Sequence, residues 1–165
     1  MKKSIVSILT IFLLLFSLKS FSQTSNSPIY KTAAGLTVEF GTGGAIVGPA
    51  IKHYFDIHNA LQGELMFGDG ATYFSSFYTF NGSIKNASGL NYNVGFGPAL
   101  CFVSGSQLEG TSGQTLLFLR PTAGLDYKIS ETPLNLTFDW RPSFYVGNGS
   151  KFIPARFGIG LRFAF

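Results

Sequence analysis

The sequence is poor in charged residues and in cysteine, and it lacks a long apolar run beyond its N-terminus. Charged residues make up 12% of the 165 positions, about half the usual share of a soluble domain. No later stretch has the ~18 consecutive apolar residues that a transmembrane helix needs. Cys101 is the only cysteine, which excludes an intrachain disulfide, and metal sites combine several ligands. We therefore expect a buried, inert thiol and neither a metal nor a cofactor.

Aromatic residues and glycine are abundant instead. The chain contains 18 Phe and 20 Gly, and aromatic residues account for 16% of it. Its length leaves room for one domain. A chain this apolar and this poor in charge, without spanning helices, is unusual among soluble proteins but typical of strands that face lipid.

The N-terminal segment has the composition of a targeting signal. Met1–Ser22 begins with two lysines, continues with an apolar core over Ile5–Phe16 and ends in a Ser-Phe-Ser motif. This order predicts a secretory signal peptide cleaved before Gln23, because the core is too short for a stable span. The alternative is an uncleaved N-terminal anchor. Polar Gln23–Ile29 is predicted to be a flexible lead-in, and Tyr30–Phe165 the folded domain.

The formal net charge of +4 does not indicate a nucleic-acid partner. Three of the 12 Lys and Arg residues lie in the predicted signal peptide, which has no acidic residue, so nine basic and eight acidic residues remain. A nearly neutral chain has no basic surface to attract nucleic acid.

Eight runs after the signal peptide alternate between apolar and small or polar residues, and turn residues separate them. Successive side chains of a strand point to opposite faces, so each run predicts a strand with one apolar face. The fourth run has aromatic residues on both faces, and we assign Phe74, Tyr78 and Phe80 to the outward one. The eight runs are Tyr30–Phe40, Ala45–Phe55, Ala60–Gly68, Ala71–Phe80, Gly89–Val103, Gln114–Ile129, Leu134–Val146 and Ile153–Phe165.

The last run is predicted to be the closing strand of a sheet. Its even positions include Arg156 and Arg162, which we expect to face acidic residues across an enclosed interior, with Glu39 on the adjacent first strand as the nearest candidate. Its odd, apolar positions are Ile153, Ala155, Phe157, Ile159, Leu161, Phe163 and Phe165.

These runs predict an all-β fold, an eight-stranded antiparallel transmembrane up-and-down β-barrel. At ~3.3 Å per residue and a tilt near 40°, about 11 residues cross a 25–30 Å apolar band. An even number of strands places both ends of the domain on one side, which we expect to be periplasmic. The Ser104–Gly113 segment, rich in Gly and Ser, is the best candidate for a long exposed loop.

A secreted soluble barrel of the lipocalin type would show the same alternation. The polar faces distinguish the two, because they carry mainly Gly, Asn, Thr and Ser instead of the many Lys and Glu of a solvated face. Their few charges have both signs, which suits a narrow interior where an unpaired charge is costly. The predicted interior ion network comprises Glu39, Lys52, Glu64, Arg120, Asp126, Asp139, Arg141, Arg156 and Arg162.

Aromatic residues near the strand ends are predicted to form the two interfacial girdles of a membrane barrel. They are Tyr30, Phe55, Tyr78, Phe80, Phe102, Tyr127, Phe144, Phe152 and Phe165.

With the strands in place, Tyr30–Phe165 resembles the small outer-membrane β-barrel family of Gram-negative bacteria, including its porin-like members. The resemblance implies that Leu161, Phe163 and Phe165 form the assembly tag that the barrel-insertion machinery recognises. It implies no catalytic residue. The segments that carry it, besides the aromatic C-terminus, are Gly48–Phe55, Ala60–Leu65, Gly89–Tyr92 followed by Gly95–Gly97, Leu125–Lys128 and Leu136–Pro142.

Few residues are candidates for chemistry. A lipid A deacylase-like site needs His and Ser with an acidic residue, but His53 and His58 lie at the short turn predicted to be periplasmic, away from the outer rim. The carboxylates of the interior have cations on the same faces, so an ion network is favoured over an acid–base pair. Gly41–Gly44 lacks the lysine and the helix of a phosphate loop and is predicted to be a hairpin turn.

The sequence therefore predicts a non-enzymatic outer-membrane barrel with a structural or surface-interaction role. A narrow channel or a carrier of a small apolar ligand is the alternative, since eight strands enclose only side chains or one small ligand. The expected partners are outer-membrane lipid, the insertion machinery and an extracellular ligand bound by the loops, because loops usually carry specificity.

Overall fold

The computed structural model describes residues 30–68, 70–103, 113–147, 149 and 151–165. The predicted signal peptide (Met1–Ser22), the lead-in (Gln23–Ile29) and nearly all of the predicted loop Ser104–Gly113 lie outside these residues. No helix in the described part of the chain is long and apolar enough to cross a membrane.

The described chain is an antiparallel sheet that closes on itself, as the sequence predicts. Consecutive strands from β1 to β7 pair with each other, β8 pairs with β6 and β9, and β10 pairs with β7 and with β1, which completes the ring. Because β7 with β8 and β9 with β10 each make up one interrupted strand, the barrel has eight strands. The elements are β1 Thr32–Gly41, β2 Gly44–Tyr54, β3 Asn59–Gly68, β4 Ala71–Ser83, β5 Leu90–Val103, β6 Gln114–Lys128, β7 Leu134–Trp140, β8 Ser143–Tyr145, β9 Phe152–Ile153 and β10 Arg156–Ala164.

The last two strands are interrupted at the same level by a bulge. Pro142 separates β7 from β8, and Pro154 separates β9 from β10. Ser143 pairs with Ile153 while Trp140 pairs with Phe157, so one extra residue lies on the final strand between these pairs. Proline cannot donate a ladder hydrogen bond, which explains why the pairing stops here. The indole Nε1 of Trp140 donates to the Pro154 carbonyl over 2.7 Å and fixes the bulge.

The bulge corrects the predicted facing of Ile153. Because the extra residue shifts the alternation by one position, Ile153 lies on the face of its partner Ser143, which is buried inside the barrel. The prediction that Ile153 shares the outer face of Phe157 and Ile159 is therefore wrong. The alternation of β10 itself is as predicted.

Two Gly-Pro pairs interrupt the ladders between neighbouring strands. The ladder between β2 and β3 is interrupted between the pairs Val47–Phe67 and Ala50–Glu64, where Gly48-Pro49 lies. A Cβ atom on Gly48 would lie only 2.8 Å from the Leu65 carbonyl carbon. Gly97-Pro98 interrupts the ladder between β4 and β5 in the same way. Glycine allows this close approach of two backbones, which helps a small sheet to curve into a closed barrel.

The barrel has a terminal end, which contains Tyr30 and Phe165, and a loop end on the opposite side. At the terminal end, the Asp56 carboxylate accepts hydrogen bonds from the amide of Asn59 and from the backbone N–H groups of His58 and Asn59. These bonds lower the pKa of Asp56 and close the turn between β2 and β3. The fourth strand continues to Ser83, three residues beyond the predicted end, so the following turn is shorter than the sequence suggests.

The two faces of the sheet have inverted polarity relative to a soluble barrel. Every Asp, Glu, Lys and Arg within β1–β10 lies on the inner face, whereas 32 large apolar side chains of the described chain are exposed, most of them on the outer face. The fourth strand follows the same rule, with Phe77 buried and Phe74, Tyr78 and Phe80 exposed. Such an extensive exposed apolar surface indicates a surface that is covered by another phase or molecule.

Candidate functional site in the barrel interior

The structure places all nine residues of the predicted ion network inside the barrel, each at most 7% exposed. The barrel order puts β2 opposite β6 and β3 opposite the junction of β7 and β8. Ion pairs between these elements therefore cross the full width of the interior. Two pairs do so, Lys52–Asp126 and Arg141–Glu64.

Arg141 forms the central cluster together with Glu64 and Asp139. Its Nη1 lies 2.6 Å from Glu64 Oε2, and its Nη2 lies 2.7 Å from Asp139 Oδ2. A third carboxylate, that of Glu39, lies 3.7 Å from Nη1. The guanidinium also lies over the buried ring of Phe77, 5.4 Å from its centroid, in a cation–π arrangement. One side chain thus connects three carboxylates on three different strands.

The loop-end cluster contains two cations that share one carboxylate oxygen. Arg120 Nη2 and Arg156 Nε both donate to Glu39 Oε1, over 2.5 and 2.8 Å. Arg156 also donates to the carbonyls of Thr42 and Gly44 and so ties the first hairpin turn to the final strand. Arg156 therefore contacts Glu39, the carboxylate that the sequence predicts as its nearest partner.

The terminal-end cluster is centred on Asp126. Lys52 Nζ donates to Asp126 Oδ2 over 3.0 Å and to the amide oxygen of Asn81 over 2.6 Å. The Tyr30 hydroxyl donates to Asp126 Oδ2 over 2.6 Å, and Asn135 donates to its other oxygen. Tyr30 is 3% exposed, so its predicted place in an interfacial girdle is wrong. It precedes β1 and turns inward, where the carboxylate satisfies its hydroxyl.

Arg162 connects the central cluster to the last strand. Its Nη1 donates to the amide oxygen of Gln62 over 3.2 Å, and its Nη2 lies 3.7 Å from Glu64. Gln62 in turn donates to Glu64 over 2.8 Å.

Several members of the interior escaped the sequence-based assignment because they carry no charge. Phe77 is 1% exposed, and the guanidinium groups of Arg120 and Arg141 both lie within 6 Å of its ring centroid, at 5.8 and 5.4 Å. Asn81 and Asn135 complete the hydrogen bonding of the terminal-end cluster. Phe77, Asn81 and Asn135 all lie at inner-face positions, so the alternation of the strands is the signal that could have identified them.

A cavity of about 250 Å³ lies at the loop end of the interior. Glu39, Arg120 and Arg156 line it, together with apolar side chains of β6 and the inward-facing Ile153. Cys101 is also on its wall and is buried, with a free thiol.

The two histidines lie at the terminal end, at the far end of the barrel from this cavity. His53 Nδ1 lies 2.8 Å from the Thr32 hydroxyl, and His58 Nδ1 lies 2.9 Å from the Asn81 carbonyl. The His58 ring also stacks on Phe80 with a centroid separation of 5.2 Å. No group of three or more His, Cys, Asp or Glu residues that could hold a metal occurs within the described ranges.

The three residues of the predicted assembly tag lie at the terminal end of the final strand. Leu161 and Phe165 are exposed on the outer face, and the rings of Phe163 and Phe165 have centroids 6.3 Å apart. Their role in assembly stays a prediction.

Known structures share this fold. No family model matches the chain, and no curated protein gives a significant match to it. The N-terminal β-barrel domain of Pseudomonas aeruginosa OprF is 17% identical with a TM-score of 0.65, and the alignment covers 86% of this chain and 100% of that one. A de novo designed transmembrane β-barrel is 13% identical with a TM-score of 0.57, over 88% of this chain and 100% of that one. Neisserial surface protein A is 14% identical with a TM-score of 0.48, over 81% and 94% of the two chains.

These similarities concern the fold. The chain has the closed, eight-stranded antiparallel architecture of the small outer-membrane β-barrels. The predicted fold class and the resemblance in architecture are therefore confirmed.

Proposed function

We propose that this protein is a non-enzymatic barrel of the bacterial outer membrane, with a structural or surface-interaction role and an interior largely filled by its own side chains. One observation carries the proposal, which is the inverted polarity of the sheet. The outer face of the ten strands has no charged residue, and the interior contains four carboxylates with five cations. Only an apolar surrounding phase makes that arrangement favourable.

The dimensions support the membrane part of the proposal. Strands β2–β6 have 10–15 residues, and at ~3.3 Å per residue with a tilt near 40° they cover the ~25 Å apolar band of such barrels. Eight of the nine residues proposed for the girdles, all except Tyr30, are exposed aromatics. We infer that the terminal end is periplasmic, and that a secretory signal peptide directs the chain there.

A membrane barrel of this kind should retain its fold in detergent. We expect the protein to sediment with outer membranes and to migrate differently on gels when unboiled and when boiled, because the closed ladder resists the detergent until it is heated. Cell fractionation and heat-dependent gel mobility measure this. Recovery of the whole protein from the soluble periplasm would contradict the proposal.

The interior leaves little room for ion flow. Because Arg141–Glu64 and Lys52–Asp126 cross the full width of the barrel, we expect no steady single-channel conductance from purified protein in planar bilayers. A mock purification from the same host without the expressed protein serves as the control for contaminating porins. Reproducible conductance steps that are absent from the mock preparation would favour the alternative role as a narrow channel.

A surface-interaction role would depend on the segments at the loop end. Ser104–Gly113 and Gly147–Phe152 are the proposed contact segments, and most of the first lies outside the described residues. Pull-down from intact cells that carry either the native or a Gly/Ser-replaced Ser104–Gly113 segment tests this role. A partner retained equally by both forms would exclude this segment as its binding site.

A further inference from the structure

We propose that the cavity at the loop end binds a small organic anion with an apolar group, of the class of an aromatic or short-chain carboxylate. This inference goes beyond the structural role proposed above. The cavity measures about 250 Å³, which corresponds to roughly eight water molecules at ~30 Å³ each. A single-ring acid fits that space, whereas a long acyl chain exceeds it.

The charges around the cavity favour an anion. Among the described residues that line it, Arg120, Arg156 and Lys151 carry three positive charges, whereas Glu39 supplies the single negative one. Both guanidinium groups donate to the same oxygen of Glu39. Two cations are therefore held close together by one carboxylate, and a second carboxylate would relieve their mutual repulsion.

The hydrogen bonding of the charged groups that form the floor of the cavity, Arg120 and Glu39, also favours a bound anion. The Nε–H of Arg120 is buried and has no hydrogen-bond acceptor among the described residues, although the side chain is only 3% exposed. A buried donor without an acceptor is unfavourable. Glu39 Oε2 also lacks a donor, and it lies 3.7 Å from Arg141 Nη1 on the central side of the cluster. Arginine fits a bound carboxylate better than lysine does, because its planar fork matches the two oxygens.

The walls of the cavity are apolar, which is unusual for the inner face of this barrel. Leu116 and Phe118 of β6 line it, with Tyr73 of β4 and Ile153 of β9. Ile153 reaches the interior only because the bulge at Pro154 shifts the alternation. A cationic floor under apolar walls suits a ligand that has a carboxylate at one end and a ring or short alkyl group at the other.

Benzoate titration of the refolded barrel in detergent micelles, followed by backbone amide NMR, tests the proposal. We expect saturable shifts below about 10 mM, an affinity range typical of so small a ligand, centred on the residues that line the cavity. Leu116→Trp should weaken binding at least tenfold because the indole fills the cavity. Leu117→Trp is the matched control, since its side chain is exposed on the outer face. Absence of saturable binding, or equal affinities of the two variants, would overturn the proposal.

Lys151 provides a second variant that keeps the test decisive if Leu116→Trp fails to fold. Lys151 is exposed at the rim, so Lys151→Gln should fold normally and weaken benzoate binding about two- to fivefold, the range of an exposed ion pair. Lys85→Gln, at the opposite end, should leave benzoate binding unchanged.

Benzyl alcohol has the same ring without the charge and should bind at least tenfold more weakly than benzoate. Equal binding of the two compounds would overturn the assignment of an anion site. Heat-dependent gel mobility reports folding separately, so a negative titration on a folded barrel refutes this site and leaves the proposed membrane role intact.

Discussion

Replacement of Arg141 by Met should destabilise the barrel by about 3–5 kcal/mol, the usual effect of removing one partner of a buried ion pair. Arg141 is fully buried and contacts the carboxylates of Glu64, Asp139 and Glu39. Methionine fills much of the space but leaves these carboxylates without their shared cation. The midpoint of urea-induced unfolding in lipid vesicles, followed by heat-dependent gel mobility, measures the effect.

Two further variants separate the ion network from a general loss of positive charge. Lys151→Met removes a cation from the exposed rim, and we expect a change within about 0.5 kcal/mol. Glu64→Gln combined with Arg141→Met removes one of the carboxylates that lose their cation. The double variant should therefore be more stable than Arg141→Met alone by about 1 kcal/mol or more. Equal unfolding midpoints for Arg141→Met and Lys151→Met would show that the interior network does not stabilise the barrel.

The second large effect is expected at Gly48, where the backbones of two strands approach closely. A Cβ atom at this position would lie 2.8 Å from the Leu65 carbonyl carbon and 2.9 Å from the Met66 Cα. Because both atoms belong to the backbone of β3, they cannot move aside without breaking the ladder. We expect Gly48→Ala to destabilise the barrel by about 1–3 kcal/mol, as overpacking usually does. The same urea titration provides the measurement.

Gly63 offers a matched control on the neighbouring strand. The nearest atom to a Cβ at Gly63 is Ile51 Cγ2 at 3.7 Å, an ordinary contact distance. Glycine in the middle of a strand is unfavourable by roughly 0.5–1 kcal/mol relative to alanine, so Gly63→Ala should leave stability unchanged or raise it slightly. If the two substitutions change stability by the same amount, the close approach at Gly48 is not what shapes the barrel.

The interior network and the close approach at Gly48 address one physical problem in two ways. A barrel of eight strands encloses little more than side chains or one small ligand, and polar groups placed there must find partners within that small space. Arg141 satisfies several carboxylates at once, and the missing side chain of Gly48 allows two backbones to lie close together.

The sequence by itself determined the strands, their faces and the membership of the ion network. Alternation with a period of two is a local property, so it assigns Glu64 and Arg141 to the inner face without knowledge of any neighbour. It does not resolve β4, where aromatic residues occupy both faces, and the structure places Phe74 outside and Phe77 inside. It did not predict the breaks at Pro142 and Pro154, because the runs Leu134–Val146 and Ile153–Phe165 continue through both prolines. It therefore did not show how a break changes the facing of a residue.

Only the tertiary structure decided which side chains meet. Arg141 reaches Glu64 because closure places their strands on opposite walls, and that relation depends on the register of the whole ring. Tyr30 turns inward because Asp126 lies within reach of its hydroxyl. Ile153 faces the interior because a bulge shifts the alternation by one residue. Hydrogen bonds between the side chains of this barrel join residues up to 117 positions apart, and no local pattern contains them.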